Sequence, residues 1–298
     1  MGFPHLHMRS KTQHPFNLKF LLVVVFVGFL LLFILRSSLS SSPSPVTKRP
    51  LTKAIEGEEA QVGSSCPSPS SATCNKIPAP LAQALIHYTT SKVTPQQTFD
   101  EISVTSKVLE QKSPCNFLVF GLGRDSLMWS SLNYGGRTVF LEEDKAWIEQ
   151  ITSKFPSLET YHVEYSTKVR DAEELMLRGR EEECRAVGKI RYSKCPLALK
   201  GVPGELYDVE WDLIMVDAPT GYFKDAPGRM GAIWTAGMVA RNRKDGETDV
   251  FVHDVDREVE DKFSMELWCE GYLRRHEGRL RHFTIPSHRG SLSKPFCP

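Results

Sequence analysis

Between residues 116 and 285, short apolar runs alternate with segments of helical spacing, and four of the runs stop on glycine or on an acidic residue. Asn116–Phe120 stops at Gly121-Leu122-Gly123, and Arg137–Leu141 at Glu142-Glu143-Asp144. Trp211–Val216 stops at Asp217, and Asp249–His253 at Asp254. Tyr161–Tyr165 and Leu280–Ile285 read as two further strands. Helical spacing covers Leu81–Ser91, Asp125–Leu132, Lys145–Lys154, Asp171–Glu182, Met230–Arg241 and Glu258–Glu270. Another helix opens at Thr94-Pro95 and runs through about Leu109. Strands alternating with helices imply a mostly parallel sheet covered on both faces. The expected class is therefore α/β, a Rossmann-like sheet. Ligands in such sheets bind beyond the carboxyl ends of the strands. The four strand ends should then converge on one edge, and that edge is the candidate site.

Each strand end suggests a role. Glycine at 121 and 123 lets the backbone turn sharply and approach a ligand closely. The dinucleotide pattern GxGxxG would need glycine at Ser126, and the methyltransferase pattern GxGxG would need it at Asp125. Neither is complete. Glu142 and Glu143 follow about 20 residues later, where an acidic residue accepts the ribose hydroxyls of a nucleotide-like ligand. That spacing suits NAD and S-adenosylmethionine equally. Asp217 directly follows four apolar positions, Leu213 to Val216, so it is placed to bind a metal, orient a hydroxyl or accept a proton. His253 and Asp254 add an imidazole and a second carboxylate, and Asp217 with Asp254 could hold a hard divalent ion. Adjacent strand residues face opposite ways, so His253 and Asp254 are not expected to enter one site together.

Outside this region the chain has a different character. Phe20–Leu35 carries no charge and no strong polar group. As a helix it spans about 24 Å, a little short of a bilayer core of about 30 Å. The stems of Lys19 and Arg36 can extend it. The expected organisation is a cytosolic tail (1–19), a signal anchor (20–36), a Ser/Pro-rich stem (37–75) and a folded domain (76–298). Basic residues tie on the two sides of the span, so the positive-inside rule does not orient it. A short tail before a single anchor favours a luminal domain. Seven cysteines form no CxxC zinc pair. Cys66/Cys74 and Cys184/Cys195 each flank a short polar loop, which suits local disulfides in an oxidising compartment.

The net charge of +1 excludes a nucleic-acid binder that works by bulk charge. Charge is uneven, however. Residues 270–298 hold six Lys and Arg against Glu270 and Glu277. Arg229, Arg241 and Arg281 belong to the same supply of guanidinium forks, which recognise carboxylates well.

The chain resembles the plant glucuronoxylan 4-O-methyltransferases, within the polysaccharide-biosynthesis family that also includes the irregular-xylem xylan proteins. The resemblance rests on VTPQQTFDE (Val93–Glu101), SPCNFLVFGLGRDSLMWSSLNYGGRT (Ser113–Thr138), WDLIMVDAPTGY (Trp211–Tyr222), APGRM (Ala226–Met230), ARNRKDGETDVFVHDVDR (Ala240–Arg257) and GRLRHFTIPSH (Gly278–His288). It implies a class I methyltransferase fold and a Golgi type II membrane protein with a luminal domain. The implied reaction is S-adenosylmethionine-dependent methylation of O-4 of the glucuronic acid on glucuronoxylan, beside other xylan-synthesis enzymes and with a divalent metal ion as an optional helper. By resemblance Gly121 and Gly123 cradle the methionine part of the donor, Glu142 or Glu143 takes the ribose, and Asp217, with Asp254 and His253, forms the catalytic edge. Arg229, Arg281 and His288 are the expected contacts to the acidic sugar. Two other readings compete. A non-catalytic xylan-synthesis scaffold would bind no donor, and an NAD-dependent nucleotide-sugar oxidoreductase would need hydride-transfer machinery.

Overall fold

The computed structural model describes residues 77–290, apart from 93 and 189, and residues 295–298. The expected tail, anchor and stem, and the Cys66/Cys74 pair, lie outside the described residues. Among the described residues no helix is long and apolar enough to cross a membrane.

Among the described residues seven strands form one sheet: β1 (Asn116–Phe120), β2 (Arg137–Glu142), β3 (Glu159–His162), β4 (Leu213–Val216), β5 (Glu247–Val252), β6 (Leu273–Glu277) and β7 (Leu280–Pro286). Their order is β3-β2-β1-β4-β5-β7-β6. The first five are parallel, whereas β7 runs antiparallel to both β5 and β6. The chain reverses its direction of travel across the sheet between β1 and β4, which is where a doubly wound sheet opens a crevice for a ligand. Helices α1 (Ala79–Thr90), α2 (Phe99–Lys112), α3 (Ser126–Leu132), α4 (Lys145–Lys154), α5 (Ala172–Gly179), α6 (Glu182–Arg185), α7 (Met230–Asn242) and α8 (Glu258–Trp268) surround it.

Strand alternation divides the core into two layers. Phe117 and Val119 of β1, Leu213 and Met215 of β4 and Phe251 of β5 pack with Leu109, Leu127, Trp129 and Ile151 from α2, α3 and α4. Leu118, Phe120, Ile214, Val216, Val250 and Val252 face the other way, onto Ile233 and Ala236 of α7 and Phe263 and Leu267 of α8. Helix α7 is buried from Met230 to Arg241, because the sheet covers one side and α8 the other. Gly237 is part of the reason: a Cβ there would stand 2.6 Å from Trp268.

The structure departs from the sequence reading in several places. Helix α2 begins at Phe99, not at Thr94, because Thr98 and Glu101 form a reciprocal capping box. That leaves residues 94–97 as a loop. Strand β3 ends at His162, and the helix expected over Asp171–Glu182 breaks into α5 and α6 after Gly179. Strand β6 was not anticipated, since its charged residues hide any apolar alternation. The Cys184–Cys195 disulfide is present, as its spacing suggested. A second, Cys269–Cys297, ties the chain's end to the residue after α8.

Asp249 joins β5 to β7 and to α2. It lies near His282 (2.7 Å) and accepts from Thr284 (2.8 Å), and it pairs with Lys112. Burial alone would raise its pKa, but His282, Lys112 and Thr284 reverse this and hold it at about 2. A depressed carboxylate stabilises the fold above its unfolded pKa and loses that contribution as pH falls through the folded value. Asp249→Asn should therefore cost about 2 kcal/mol at neutral pH. The variant should also flatten the decline in stability between about pH 4 and pH 2. Urea unfolding across that range checks both.

Candidate active site

Beyond the carboxyl ends of β1, β2 and β4 lies a cavity of about 380 Å³. The turn after β1 supplies Gly121 to Asp125, the end of β2 supplies Glu142 and Glu143, and the loop after β4 supplies Asp217 to Thr220. The 94–97 loop closes one side, and Asp254 and Arg257 complete another. All four predicted strand ends thus meet at one edge.

The glycine turn has the anticipated geometry. Gly121 adopts φ +121°, and a Cβ on it would come within 3.1 Å of the Ala218 Cβ. Only glycine fits there without displacing the β4 loop. Gly123 donates to Ser126 Oγ (2.9 Å) and sits so close to Asp125 that a Cβ would meet its Oδ1 at 2.6 Å. Glu142 binds the turn directly: its Oε2 accepts from the Leu122 N–H at 3.1 Å, and its Oε1 takes the Glu143 and Asp144 N–H groups. Burial, then the neighbouring Glu142, pushes the Glu143 carboxyl up.

Asp125 stands where the third glycine of a methyltransferase turn was sought. Its Oδ2 accepts from Trp129 Nε1 (2.8 Å). Burial and then the charge of Asp217 raise it to about 6.

Asp217, His253 and Asp254 do share one site, contrary to the alternation argument. Their potential ligand atoms lie within 4.8 Å of one another. The reason is that β5 ends at Val252, so strand alternation no longer governs the next two residues. Asp254 takes φ +62°, in the left-handed region, and turns its carboxylate back beside His253.

One buried cation organises this cluster. Arg229, just ahead of α7, donates from Nη1 to the His253 carbonyl (2.8 Å) and from Nη2 to the Asp217 carbonyl (2.6 Å). Its Nε reaches the Pro219 carbonyl (3.2 Å). Nη2 also lies 2.7 Å from Asp254 Oδ2 and 3.3 Å from Asp217 Oδ1. The Asp217 Oδ2 accepts from Gln97 (3.0 Å), and Oδ1 lies 3.1 Å from His253 Nδ1. Burial works against ionising Asp217, but His253, Arg229 and Gln97 outweigh it and keep the carboxyl below its ordinary range. Behind His253 stands Glu101, buried and bound by the Thr98 and Arg279 N–H groups.

This donor set does not fit a divalent ion. Asp254 Oδ2 is already shared by Arg229 and Arg257, and its Oδ1 by Arg279 at 2.6 Å. A cation placed between Asp217 and Asp254 would face three guanidiniums. The metal assignment to these two carboxylates is therefore corrected: arginine fills that place. The substrate contacts are corrected as well. Arg229 is spent on the protein's own carbonyls and carboxylates. Arg281 binds Asp261 and Ser264. His288 packs against Tyr272 and Phe296. Neither Arg281 nor His288 lines the cavity. The cations that do so besides Arg229 are Arg124 and Arg257, and Arg124 is exposed at the mouth.

Sequence reasoning also missed Gln97, Glu101 and Asp125. The capping-box pattern Thr98–Glu101 was the available signal for the first two. Asp125 was noted only as a missing glycine.

Removing Arg229 should be severe, because Asp217 would lose its guanidinium, the buried Asp254 one of three, and three main-chain carbonyls their donors. Arg229→Met should cost about 3–5 kcal/mol in chemical unfolding, against well under 1 kcal/mol expected of the exposed Arg124→Met.

A mostly parallel Rossmann-like sheet with β7 reversed has the class I methyltransferase fold, and its glycine turn, acidic β2 end and β4 carboxylate stand around one cavity. The chain belongs to the IRX15/IRX15L/GXM family, whose model matches residues 100–283. It is 58% identical to glucuronoxylan 4-O-methyltransferase 3 of Arabidopsis thaliana, over 98% of each chain. It is 60% identical to glucuronoxylan 4-O-methyltransferase 1 of the same plant, over 98% of this chain and 100% of that one. Arabinogalactan O-methyltransferase 2 of Arabidopsis thaliana is 54% identical, over 72% of this chain and 77% of that one. Among solved structures, a methyltransferase-like protein from Silicibacter pomeroyi matches with a TM-score of 0.39 and 13% identity, covering 65% of this chain and 89% of that one.

Proposed function

We propose that the chain transfers a methyl group from S-adenosylmethionine to O-4 of the glucuronic acid side chains of glucuronoxylan. The observation that carries this reading is the meeting of the Gly121–Gly123 turn, the Glu142 carboxylate and the ionised Asp217 in one cavity of about 380 Å³, in a chain related over nearly its whole length to glucuronoxylan 4-O-methyltransferases. The cavity suits a nucleoside with a charged tail. The β1 turn admits close backbone approach, and Glu142 and Glu143 offer acceptors for ribose hydroxyls.

When bound, S-adenosylmethionine supplies a methyl group already activated on a sulfonium. The protein's own work is then to align the acceptor oxygen and handle its proton. Asp217 is the group at the reacting edge. Its depressed pKa keeps it ionised at neutral pH, so it accepts the sugar hydroxyl's hydrogen bond and draws off the proton as the oxygen attacks. His253 and Gln97 fix the carboxylate's orientation. Arg124, at the cavity mouth, is the cation for the sugar's own carboxylate. Glu142 holds the glycine turn and the ribose end as one unit, because the same carboxylate binds the Leu122 N–H.

Residues 20–36 would anchor the chain in the Golgi membrane with the domain in the lumen. The Cys184–Cys195 and Cys269–Cys297 disulfides support an oxidising compartment. Other xylan-synthesis enzymes would be its neighbours there.

The test is incubation of the full chain with methyl-labelled S-adenosylmethionine and glucuronoxylan, followed by mass analysis of the fragments. The label should appear on O-4 of glucuronic acid. Arabinogalactan is the control acceptor, and preferential transfer to it would overturn the choice of xylan. Asp217→Asn should bind donor normally in calorimetry and lose at least about 100-fold in saturated turnover. Near wild-type turnover would remove Asp217 from the reacting edge. Arg124→Ala should raise the KM for glucuronoxylan much more than it lowers kcat.

A further inference from the structure

The loop after β4 does more than close the cavity. Its base is buried, at Gly221, Ala226 and Gly228, while residues 222–225 stand out in solvent. At that tip Tyr222 is 75% exposed and Phe223 48% exposed. Their rings meet edge to face, with centroids 5.1 Å apart. Phe99, Tyr134 and Tyr192 are also exposed, but none of them joins another exposed aromatic ring among the described residues. Exposing two adjacent rings gives nothing to folding, so the pair calls for another explanation.

The loop is held rigidly in this pose. Gly228 N–H bonds to the Thr220 carbonyl (2.9 Å), and Ala226 N–H to the Phe223 carbonyl (3.0 Å). Gly221 fits against Glu260, where a Cβ would meet Oε1 at 2.6 Å. From outside, Val169 N–H bonds to the Ala226 carbonyl, Arg170 N–H to the Lys224 carbonyl, and Thr167 Oγ1 to the Pro227 carbonyl. The rings are thus presented on a backbone that need not be ordered at the moment of binding.

Their position connects two depressions. On one side Tyr222 stands at the rim of the reactive cavity. On the other, Thr167, which is bonded to the base of the loop, lines an open polar cleft of about 760 Å³ that carries Arg191, Lys194 and Lys200 beside Asp171 and Glu174. Two exposed rings on a loop that borders a cavity on one side and a polar cleft on the other suit a polymer track. Resting on the reading given under Proposed function, we propose that Tyr222 and Phe223 are the platform for the neutral pentose backbone of the acceptor. The backbone lies across the rings with the apolar faces of its sugars against them. One acidic side group then drops into the cavity, and further acidic groups along the polymer reach the lysines of the cleft.

Acceptor length provides the test. Xylo-oligosaccharides of increasing length, each with one glucuronic acid, are compared as acceptors for the full chain. The wild-type KM should fall as the backbone lengthens past the side group. In Tyr222→Ala/Phe223→Ala that dependence should vanish, and the KM for the longest acceptor should rise on the order of tenfold, the equivalent of about 1.4 kcal/mol. The change in KM should exceed any change in kcat, and Tyr222→Phe, which keeps the ring, should restore the length dependence. A KM that falls with length equally in the double variant would overturn the platform. Binding of xylohexaose without glucuronic acid gives a readout besides activity. The wild-type chain should bind it and the double variant should not, and equal binding by both would also overturn the proposal. If no acceptor is methylated but this binding difference holds, the proposed reaction fails while the platform stands.

Discussion

Arg229 is the interaction on which the rest of the site depends. It is a fully engaged guanidinium in the protein interior, where an unpaired charge would be very costly. Its fork reaches the main chain after β4, the main chain after β5 and two carboxylates at once. It ties the two loops to each other, although each opens with an acidic residue that would repel the other. With His253 and Gln97 it keeps the Asp217 carboxyl below its ordinary range. One residue just ahead of α7 therefore shapes this edge of the cavity and helps to set its charge.

The first consequence concerns how charge is balanced. Asp217, Asp254, Glu101 and Glu260 crowd into one region, and Arg229, Arg257 and Arg279 answer them. Arginine suits this because its planar fork serves several acceptors in fixed directions. A divalent ion could neutralise the same carboxylates, but it would stand beside three guanidiniums that already bind Asp254. The choice of arginine leaves the Asp217 carboxylate one open side, toward the cavity.

Much of this was legible in the sequence. The parallel part of the sheet followed from the apolar runs, and the convergence at one edge followed from where those runs stop. Gly121, Gly123, Glu142 and Asp217 stand where chain order placed them. The parts that were not legible share a physical cause: they depend on contacts made across the fold. His253 and Asp254 share a site because β5 ends one residue early and Asp254 takes a left-handed turn, which alternation cannot foresee. Arg229 looked like a substrate contact because its type is right for one, and only burial shows that its donors are already used. Gln97 and Glu101 lay in a segment read as helix, so their approach to the strand ends was hidden.

Strand β6 casts the basic C-terminal region in another light. It is an outer strand of the sheet, with Arg274, Arg275 and His276 exposed along it. An outer strand offers unpaired backbone groups to any other extended chain, and rows of charged side chains discourage that pairing. Two members of the cluster that looked like a surface for an acidic sugar, Arg274 and Arg275, thus lie where charge discourages a second extended chain from pairing with the sheet. The consequence is colloidal: the outer edge of this sheet is built to stay unpaired at high local concentration.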